Sequence, residues 1–508
     1  MNTDITILDY LVFIAFLVGI VLFGSSFYFR NRKKQSTGQF TVASGNLPSW
    51  VVGMSIFATF VSSISFLGYP GEAYTNNWNP FVFSLSIPIA TWLAAKLFVP
   101  LYRSMNSASA YHYLEVRFGY WARAYVAVCY LLTQLARMGS ILFLLALPLN
   151  FMLGWSVPVL IVVTGISVLI FSALGGISAV IWTDAIQGIL LIMGAIVCAI
   201  LLTVNIPGGF AGLIEVGSQY DKFSMGSLGS SLREPTFWVL LVYGLFINLQ
   251  NYGIDQNYIQ RYMTARDDRS AKRSTLFGGL LYIPVSLLFV YIGTALFVYY
   301  KTNGGLPDGL NGDQVFPFYI VQALPTGISG LLIASILAAG MSTVSTSLNS
   351  SSTVILTDFY KRIRKREIGE KEGMKILYLT SIILGILGMI IALLMMRVDG
   401  VLTTWWKLAS VFSGGMLGLF LLGFVSKTVK NPAAVAGVVA GLLVIAWMSL
   451  SPYLFSQGAL ERYQSKLHGN LTIVLGTMTI FLVGFLVTLA LQAYSKKSKK
   501  SMNKATEE

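Results

Sequence analysis

The chain has 508 residues, of which 55% are hydrophobic and only 11% are charged. Soluble domains carry about 25% charged residues, so this composition excludes a soluble enzyme. Apolar runs of about 18 residues or more recur along most of the chain, which is typical of transmembrane helices. The two cysteines, Cys129 and Cys198, both lie inside such runs, which excludes a disulfide-stabilised secreted fold. The sequence therefore predicts an all-α integral membrane protein that crosses the bilayer many times.

Thirteen candidate transmembrane helices follow one another along the chain, at residues 5–29, 48–70, 80–102, 122–149, 157–175, 182–204, 236–258, 276–300, 326–350, 375–396, 402–425, 432–451 and 471–493. Of the 35 lysines and arginines, 26 fall in loops on the side of the C-terminus, six fall on the opposite side and three lie within spans. The positive-inside rule then predicts an external N-terminus and a cytoplasmic C-terminus. Topology accounts for the net charge of +14, so this charge does not indicate a nucleic-acid partner.

The sequence lacks the motifs that bind nucleotides, since it contains neither a G-x-x-x-x-G-K-[ST] phosphate loop nor a Gly-rich dinucleotide fingerprint. A membrane-embedded enzyme would need a cluster of His, Asp, Glu or Cys side chains at membrane depth. Only Asp184 and Asp255 are acidic residues within predicted spans, and Asp9 lies at the edge of the first. We therefore expect that the chain is not an enzyme and binds no nucleotide, which leaves secondary transport or a channel.

Arg137 lies near the middle of the fourth span, where a charged side chain costs at least about 2.5 kcal/mol on insertion scales. One interpretation is a clamp for a carboxylate, because a guanidinium offers paired hydrogen-bond donors at the matching spacing. The other interpretation is a structural strut that hydrogen-bonds to neighbouring helices.

Polar residues interrupt two spans at corresponding places in two halves of the bundle. The second span contains Ser62, Ser63 and Ser65, and the seventh contains Asn248 and Gln250. Interrupted helices at corresponding positions indicate a binding site near the bilayer midplane in transporters built from inverted repeats. The alternative is two helices that are merely rich in small packing residues.

The ninth span is unusually rich in hydroxyl groups, because ten of the twelve residues from Ser342 to Thr353 are polar and uncharged. Ser342, Ser345 and Thr346 share one helical face. Hydroxyls stacked there suit a small, hard cation, and Asp184 would supply the countercharge. The alternatives are hydroxyls that bond back to their own helix and an Asp184 that caps the start of the sixth span.

Five segments together resemble the sodium:solute symporter family: LPSWVVGMSIFATFVSSISFLG, SAYHYLEVRFG, LGGISAVIWTDAIQG, IDQNYIQRYMTARDDRSAKRS and AAGMSTVSTSLNSSSTVILTDFY. The resemblance covers about residues 10–425 and implies a leucine-transporter-type fold of two inverted five-helix repeats. The implied organisation is an extra N-terminal helix with a basic loop (1–47), the first repeat with an external loop (48–235), the second repeat (236–431), and two C-terminal helices with a cytoplasmic tail (432–508).

The resemblance also implies sodium ions as cofactors. The main sodium site of the family maps to backbone carbonyls and hydroxyls of Ala58, Val61, Ala339, Ser342 and Thr343. Some members hold a second sodium, whose ligands map to Asp184, Ser342, Ser345 and Thr346. Two sodium ions are therefore expected.

Within the family, the chain is most similar to bacterial sialic acid transporters, which implies a sodium-coupled importer of sialic acid (N-acetylneuraminate) that works by alternating access. The arginine that holds the substrate carboxylate aligns with Arg137. Together with Gln250 of the interrupted seventh span, the expected substrate-binding residues are Phe60, Ser62, Ser65, Ser84, Arg137 and Gln250. Phe60 and Ser84 stand where a threonine and a glutamine are expected, so the pocket has a different shape, and another sugar acid or a monocarboxylate stays open.

The resemblance implies a monomer in the cell inner (plasma) membrane, with a small, anionic solute as its partner. Two alternatives differ in class or in substrate. A symporter for a neutral solute would use Arg137 only as a strut. A sodium-permeable channel or a solute sensor would not accumulate the solute, and no loop resembles a signalling domain.

Overall fold

The computed structural model of the chain describes residues 5–31, 36–105, 107–307, 310, 312–365, 367–397, 409, 411–412, 415–426, 428–454 and 458–507. Nearly all of these residues are helical, and among them a single bridge between Leu47 and Ala265 is the only β-type backbone pairing. A helix satisfies its backbone polar groups internally, which is what a chain of this composition needs in a bilayer.

The α-helices of the described residues, numbered in chain order, are α1 Ile7–Asn31, α2 Thr37–Val42, α3 Ser49–Phe60, α4 Ser63–Thr75, α5 Ile87–Leu93, α6 Val99–Met105, α7 His112–Phe118, α8 Tyr120–Leu153, α9 Val157–Val204, α10 Gly209–Gln219, α11 Phe237–Ile254, α12 Gln256–Thr264, α13 Asp268–Thr302, α14 Gly312–Gln322, α15 Ile328–Val354, α16 Lys361–Arg364, α17 Glu370–Met395, α18 Met416–Val425, α19 Asn431–Leu454 and α20 Leu471–Glu507. Short 3₁₀ segments lie at Ala43–Gly45, Asn79–Ser86 and Gly458–Tyr463, and π-helical turns lie at Ala94–Phe98 and Ile355–Tyr360.

The chain divides into two compact units. The first comprises Met1–Ala110, Gln134–Ser230 and Thr236–Trp405, and the second comprises Tyr111–Thr133, Ser231–Pro235 and Trp406–Glu508. In the first unit, α15 packs along α9, and α3 and α4 pack against α13. In the second unit, α19 and α20 form an antiparallel pair, on which α18 packs through α20.

Ten helices of the described residues are long and apolar enough to cross a membrane, and a bent pair formed by α3 and α4 makes eleven. The predicted spans 157–175 and 182–204 both lie within α9, which consists of two helical stretches separated by a kink at Gly176 (φ 60°, ψ −161°). A side chain at Gly176 would also meet Phe40 of α2 at 2.9 Å. Of the predicted span 402–425, residues 416–425 form the apolar helix α18, and most of the remainder lies outside the described residues.

Asp9 fixes the start of α15 from the N-terminal helix α1. Its Oδ1 accepts hydrogen bonds from the backbone N–H groups of Gly327 and Gly330, both at 2.8 Å. These donors belong to the N-cap and the first turn of α15, where backbone N–H groups have no intrahelical acceptor and where a carboxylate is favoured by the helix dipole. The extra N-terminal helix thereby positions the hydroxyl-rich helix α15.

Lys222, in the segment after α10, connects that segment to the end of α4 by hydrogen bonds. Its Nζ donates to the carbonyls of Tyr74 (2.6 Å) and Asn76 (3.1 Å), and it lies 4.0 Å from the ring centre of Phe297. Burial lowers the pKa of the Lys222 ammonium. A cation at a helix C-terminus satisfies orphan carbonyls and complements the helix dipole, so Lys222 stabilises the second half of the bent pair.

Close helix contact at Gly278 gives a first testable expectation. A Cβ at Gly278 of α13 would collide with the backbone carbonyl oxygen of Gly53 in α3. Overpacking of this kind costs about 1–3 kcal/mol, so Gly278→Ala should lower the unfolding temperature of the purified protein. Gly19→Ala is the matched control, since nothing lies within 4 Å of its added Cβ. Equal unfolding temperatures for the two variants would contradict the close approach of α3 and α13.

Candidate sodium and solute site

Two helices of the first unit break in the same way. Helix α3 ends at Phe60, Val61 adopts φ −75° and ψ 127°, and α4 begins at Ser63 after a bend of 51°. Helix α11 ends at Ile254, and Asp255 adopts φ −76° and ψ 127° before α12 begins. The second and seventh predicted spans are therefore both interrupted, and the second interruption lies just after the polar cluster that predicted it.

The broken helix α3 and the hydroxyl-rich helix α15 meet through oxygen atoms. Ser342 Oγ lies 3.0 Å from the carbonyl oxygen of Ala58 and 3.2 Å from that of Ala339. Thr343 Oγ1 lies 3.2 Å from the same Ala339 carbonyl. Because α3 stops at Phe60, the Ala58 carbonyl belongs to the last turn, where it has no intrahelical donor. Four of the five residues expected at the first sodium site thus converge, and Val61 lies at the break itself.

Asp184 forms a buried ion pair with Arg261. Its Oδ2 accepts a hydrogen bond from Arg261 Nη2 at 2.7 Å and another from Ser55 Oγ at 2.6 Å. Both charged side chains are 0% exposed. Asp184 Oδ1 is also buried and has no hydrogen-bond partner among the described residues. Asp184 lies inside the second helical stretch of α9, well after the kink at Gly176, so it does not cap a helix start.

Arg261 cross-links four helices through its guanidinium. Besides Asp184 of α9, it donates to Ser55 Oγ of α3 (2.7 Å), Thr346 Oγ1 of α15 (2.6 Å) and the Asn257 carbonyl of its own helix α12 (2.6 Å). The sequence interpretation missed this residue, because its position beside a basic loop assigned it to the cytoplasmic surface. The signal that was available is its place within IDQNYIQRYMTARDDRS, one of the five segments that carried the family resemblance.

Of the residues expected at a second sodium site, Asp184 is part of this ion pair and Thr346 contacts it directly. Thr346 accepts from Arg261, which also binds Asp184, and Ser345 Oγ donates to the Ser342 carbonyl at 3.0 Å. Ser342, Ser345 and Thr346 are fully or almost fully buried. The structure therefore links Thr346 to the Asp184 carboxylate through the Arg261 guanidinium, while the Ser342 and Ser345 hydroxyls donate to backbone carbonyls.

Arg137 reaches the same helix break from α8. Its Nη2 donates to the Thr59 carbonyl of α3 at 3.3 Å, one residue beyond Ala58. The Arg137 guanidinium and the Ser342 hydroxyl therefore contact the carbonyl oxygens of two adjacent residues, Thr59 and Ala58, in the broken helix. A hydrogen bond to a carbonyl is what the strut interpretation requires, and the remaining guanidinium donors are what a carboxylate clamp would use.

An aromatic cluster surrounds Phe60 at the end of α3. The Phe60 ring centre lies 4.5 Å from that of Tyr282, 5.5 Å from that of Tyr252 in a stacked arrangement, and 6.3 Å from that of Phe83. Next to Phe83, Ser84 is fully buried and its Oγ has no partner in the described part of the chain. Phe60 thus brings aromatic surface to the place where a hydroxyl was expected from the family pattern.

The other expected solute contacts lie on the flanks of the two breaks. Ser62 is buried at the break between α3 and α4, and Ser65 is half-buried in the first turn of α4. Gln250 is buried near the end of α11, and its Oε1 finds no partner within the residues that the structure describes. Buried polar atoms without partners are costly, so such atoms at a helix break favour a polar ligand or ordered water.

Fold and site together define a multi-pass membrane transporter of the leucine-transporter type. A profile of the sodium:solute symporter family matches residues 40–441, and the chain belongs to that family. It is 32% identical over 486 residues to the sodium/sialic acid symporter SiaT of Proteus mirabilis (strain HI4320), covering 95% of both chains. It is 31% identical to the sodium/sialic acid symporter NanT of Aliivibrio fischeri (strain ATCC 700601 / ES114), covering 94% of this chain and 92% of that one.

A solved structure of a Na⁺-coupled sialic acid symporter, substrate-bound and outward-open, superposes with a TM-score of 0.88. It is 30% identical, and the match covers 96% of this chain and 98% of that one. The predicted all-α, leucine-transporter-type fold and the predicted family are confirmed. The expected function as a sodium-coupled symporter rather than an enzyme is confirmed with them.

Proposed function

We propose that this symporter imports a carboxylated organic solute, with N-acetylneuraminate as the leading substrate, and that it does so by alternating access. The observation that carries the proposal is the succession of Ala58 and Thr59 at the helix break. The Ala58 carbonyl meets the hydroxyl of Ser342, and the Thr59 carbonyl meets the guanidinium of Arg137. A cation and a carboxylate would therefore bind side by side, which couples their affinities through electrostatic attraction. The names of the two bacterial relatives support sialic acid as the solute.

The first sodium ion is assigned to the oxygens of Ala58, Val61, Ala339, Ser342 and Thr343. Carbonyl and hydroxyl oxygens are hard ligands that suit a hard cation. The ion would join α3 to α15, and the break after Phe60 leaves carbonyl oxygens without helical donors to receive it. Sodium binding would thereby hold the two halves of the solute site together in the outward-facing form.

Ser342→Ala tests this assignment. The variant removes one ligand oxygen and the link to the Ala58 carbonyl, so the sodium concentration for half-maximal uptake should rise about tenfold, which corresponds to about 1.4 kcal/mol. Ser335→Ala is the matched control, because Ser335 is a buried serine of the same helix whose Oγ donates to Leu331. A Ser342→Ala protein with an unchanged sodium requirement would remove the first site from these residues.

A second sodium ion is assigned to Asp184, Ser342, Ser345 and Thr346, beside Arg261. The number of ions sets how far a solute can be concentrated. One sodium with one monoanion moves no net charge, so a tenfold sodium gradient supplies about 1.4 kcal/mol. Two sodium ions supply about 2.8 kcal/mol, and the net charge adds about 2.3 kcal/mol per 100 mV. The second ion would raise the attainable accumulation to several thousand-fold.

Release to the cytoplasm would require α12 to move. Gln260 Nε2 donates to the Thr41 carbonyl (2.6 Å), to Asn349 Oδ1 (2.8 Å) and to Thr353 Oγ1 (3.1 Å), so α12 is tied to the chain after α1 and to α15. The proposed orientation has the N-terminus outside and the C-terminus in the cytoplasm, in a bacterial inner membrane, with the protein acting as a monomer. This orientation places the α12 contacts on the inner side of the sodium oxygens.

A second candidate substrate class is a smaller organic acid. The aromatic cluster at Phe60 favours it, because Phe60 and its neighbours Tyr252 and Tyr282 supply apolar surface beside Arg137. The 28% identity to the sodium-coupled monocarboxylate transporter 2 of Mus musculus is in keeping with this class. Both candidates keep the carboxylate on Arg137 and differ in what contacts Phe60.

The decisive experiment is uptake of radiolabelled N-acetylneuraminate into proteoliposomes that contain the purified protein. An inward sodium gradient should drive saturable accumulation, and an equal potassium gradient should not. An inside-negative potential should increase the accumulation if two sodium ions accompany one monoanion. Absence of uptake by folded protein, together with sodium-dependent uptake of lactate or another monocarboxylate, would replace sialic acid by the smaller acid.

A further inference from the structure

The second unit contains a polar cavity that the sodium and solute site does not use. Its volume is about 220 Å³. It lies between the start of α19 and the last membrane-embedded turns of α20, and it is lined by Thr428, Lys430, Thr488, Leu491, Gln492 and Ser495. One lysine, three hydroxyl groups and an amide thus surround a space large enough for a small polar group.

Two helices independently place this cavity at a membrane surface. The apolar span of α19 begins at Asn431, the residue after Lys430, and the apolar span of α20 ends at Ser495. The cavity is therefore at the depth where the hydrocarbon core gives way to lipid headgroups. Below it, towards the membrane interior, Leu486 is 61% exposed and Val435 is 42% exposed, so apolar surface is available to acyl chains.

The cavity wall is held in place by its own hydrogen bonds. Gln492 Nε2 donates to Thr428 Oγ1 at 2.6 Å, which joins the α18–α19 loop to α20. Thr488 Oγ1 donates to the Gly484 carbonyl at 2.7 Å. The backbone carbonyl of Lys430 accepts from Ala433 and Ala434, so Lys430 lies at the N-terminal, positive end of α19.

The sequence segments that supply the cavity lining carry charges of one sign. Segments 426–435 and 484–500 contain six lysines (Lys427, Lys430, Lys496, Lys497, Lys499 and Lys500) and no aspartate or glutamate. In the part of the chain that the structure describes, no carboxylate pairs with Lys430. An uncompensated lysine beside hydroxyl and amide donors is the donor set that binds a phosphate oxygen.

We propose that this cavity binds the phosphate-bearing headgroup of an anionic phospholipid, with the acyl chains lying along the exposed apolar face of α19 and α20. A free phosphate ion shares the headgroup chemistry. The lipid is favoured because the cavity sits at headgroup depth directly above apolar surface. An anionic headgroup carries one more negative charge than a zwitterionic one, and the charged residue that lines the cavity is the cation Lys430. None of the residues that line the cavity is among those assigned to sodium or to the solute.

The test uses the full-length protein, delipidated in detergent and titrated with phosphatidylglycerol or phosphatidylcholine while bound lipid is counted by native mass spectrometry. Wild type should bind phosphatidylglycerol more tightly than phosphatidylcholine. Lys430→Gln should weaken phosphatidylglycerol binding about fivefold, in line with about 1 kcal/mol per basic residue near an anionic surface, and should leave phosphatidylcholine unchanged. Lys466→Gln is the matched control, since Lys466 is an exposed lysine in the loop that joins the opposite ends of α19 and α20.

Lys430→Arg keeps the charge and should retain the preference for phosphatidylglycerol over phosphatidylcholine. If Lys430→Gln is unstable in a thermal unfolding assay, this second variant shows whether the charge at position 430 is what binds the lipid. Equal binding of phosphatidylglycerol by wild type and a folded Lys430→Gln protein would overturn the proposal. Displacement of bound phosphatidylglycerol by millimolar inorganic phosphate would overturn the lipid assignment and make free phosphate the occupant. None of these outcomes depends on transport, so the lipid proposal can fail or succeed independently of the uptake experiment.

Discussion

Neutralising either member of the Asp184–Arg261 pair alone is expected to destabilise the protein severely. Asp184→Asn and Arg261→Gln should each cost about 3–5 kcal/mol, because each leaves one uncompensated charge at a position with 0% exposure. Arg261→Gln also weakens the bridge between Ser55 and Thr346. The measurement is thermal unfolding of purified protein, together with the yield of monodisperse protein from membranes.

The double variant Asp184→Asn/Arg261→Gln separates the structural role of the pair from sodium binding. It holds no charge at the position of the pair, so most of the lost stability should return, and a double-mutant cycle should give a coupling energy of several kcal/mol. If Asp184 also binds the second sodium, this stable double variant should lose the enhancement of uptake by an inside-negative potential. A stable double variant with unchanged sodium cooperativity and voltage response would take the second sodium away from Asp184.

The architecture could be predicted because the bilayer imposes a strong pattern on the sequence. Long apolar runs specify helices whatever their neighbours are, and polar interruptions marked both helix breaks before Val61 and Asp255 were seen in extended conformation. In α9 a kink at Gly176 separates the two helical stretches that correspond to the fifth and sixth predicted spans. A single glycine at positive φ is sufficient to redirect the chain there. Phe40 packs so closely against Gly176 that a side chain at this position would collide with it.

The site could be predicted only where the relevant atoms are close in sequence. The hydroxyls of Ser342, Ser345 and Thr346 repeat on one helix, so their shared face followed from helix geometry. Asp184 and Arg261 are 77 residues apart in the sequence and lie on different helices, so their ion pair depends on the tertiary fold. Nothing in the local sequence distinguishes the buried Arg261 from the loop arginines that follow it. The aromatic cluster at Phe60 has the same origin, since Phe83, Tyr252 and Tyr282 come from three further segments.

The Arg137→Ala variant should lose most of its ability to recognise the solute carboxylate. A charge-assisted hydrogen bond contributes about 1.5–3 kcal/mol, so the half-saturating concentration of N-acetylneuraminate should rise about 10- to 150-fold. Arg137→Lys should be intermediate, because it keeps the charge and loses the paired donor geometry. The measurement is sodium-driven uptake at several solute concentrations, with the amount of folded protein in each liposome preparation determined separately.

A comparison with the methyl ester of N-acetylneuraminate distinguishes a clamp from a strut, since the ester keeps the sugar ring and removes the charge. If Arg137 binds the carboxylate, wild type should prefer the acid strongly and Arg137→Ala should transport acid and ester with similar efficiency. If Arg137 serves only the Thr59 carbonyl, its loss should reduce the folded fraction and leave the preference for acid over ester unchanged. The ratio of the two substrates is insensitive to how much protein folds, so it reports directly on what the guanidinium binds.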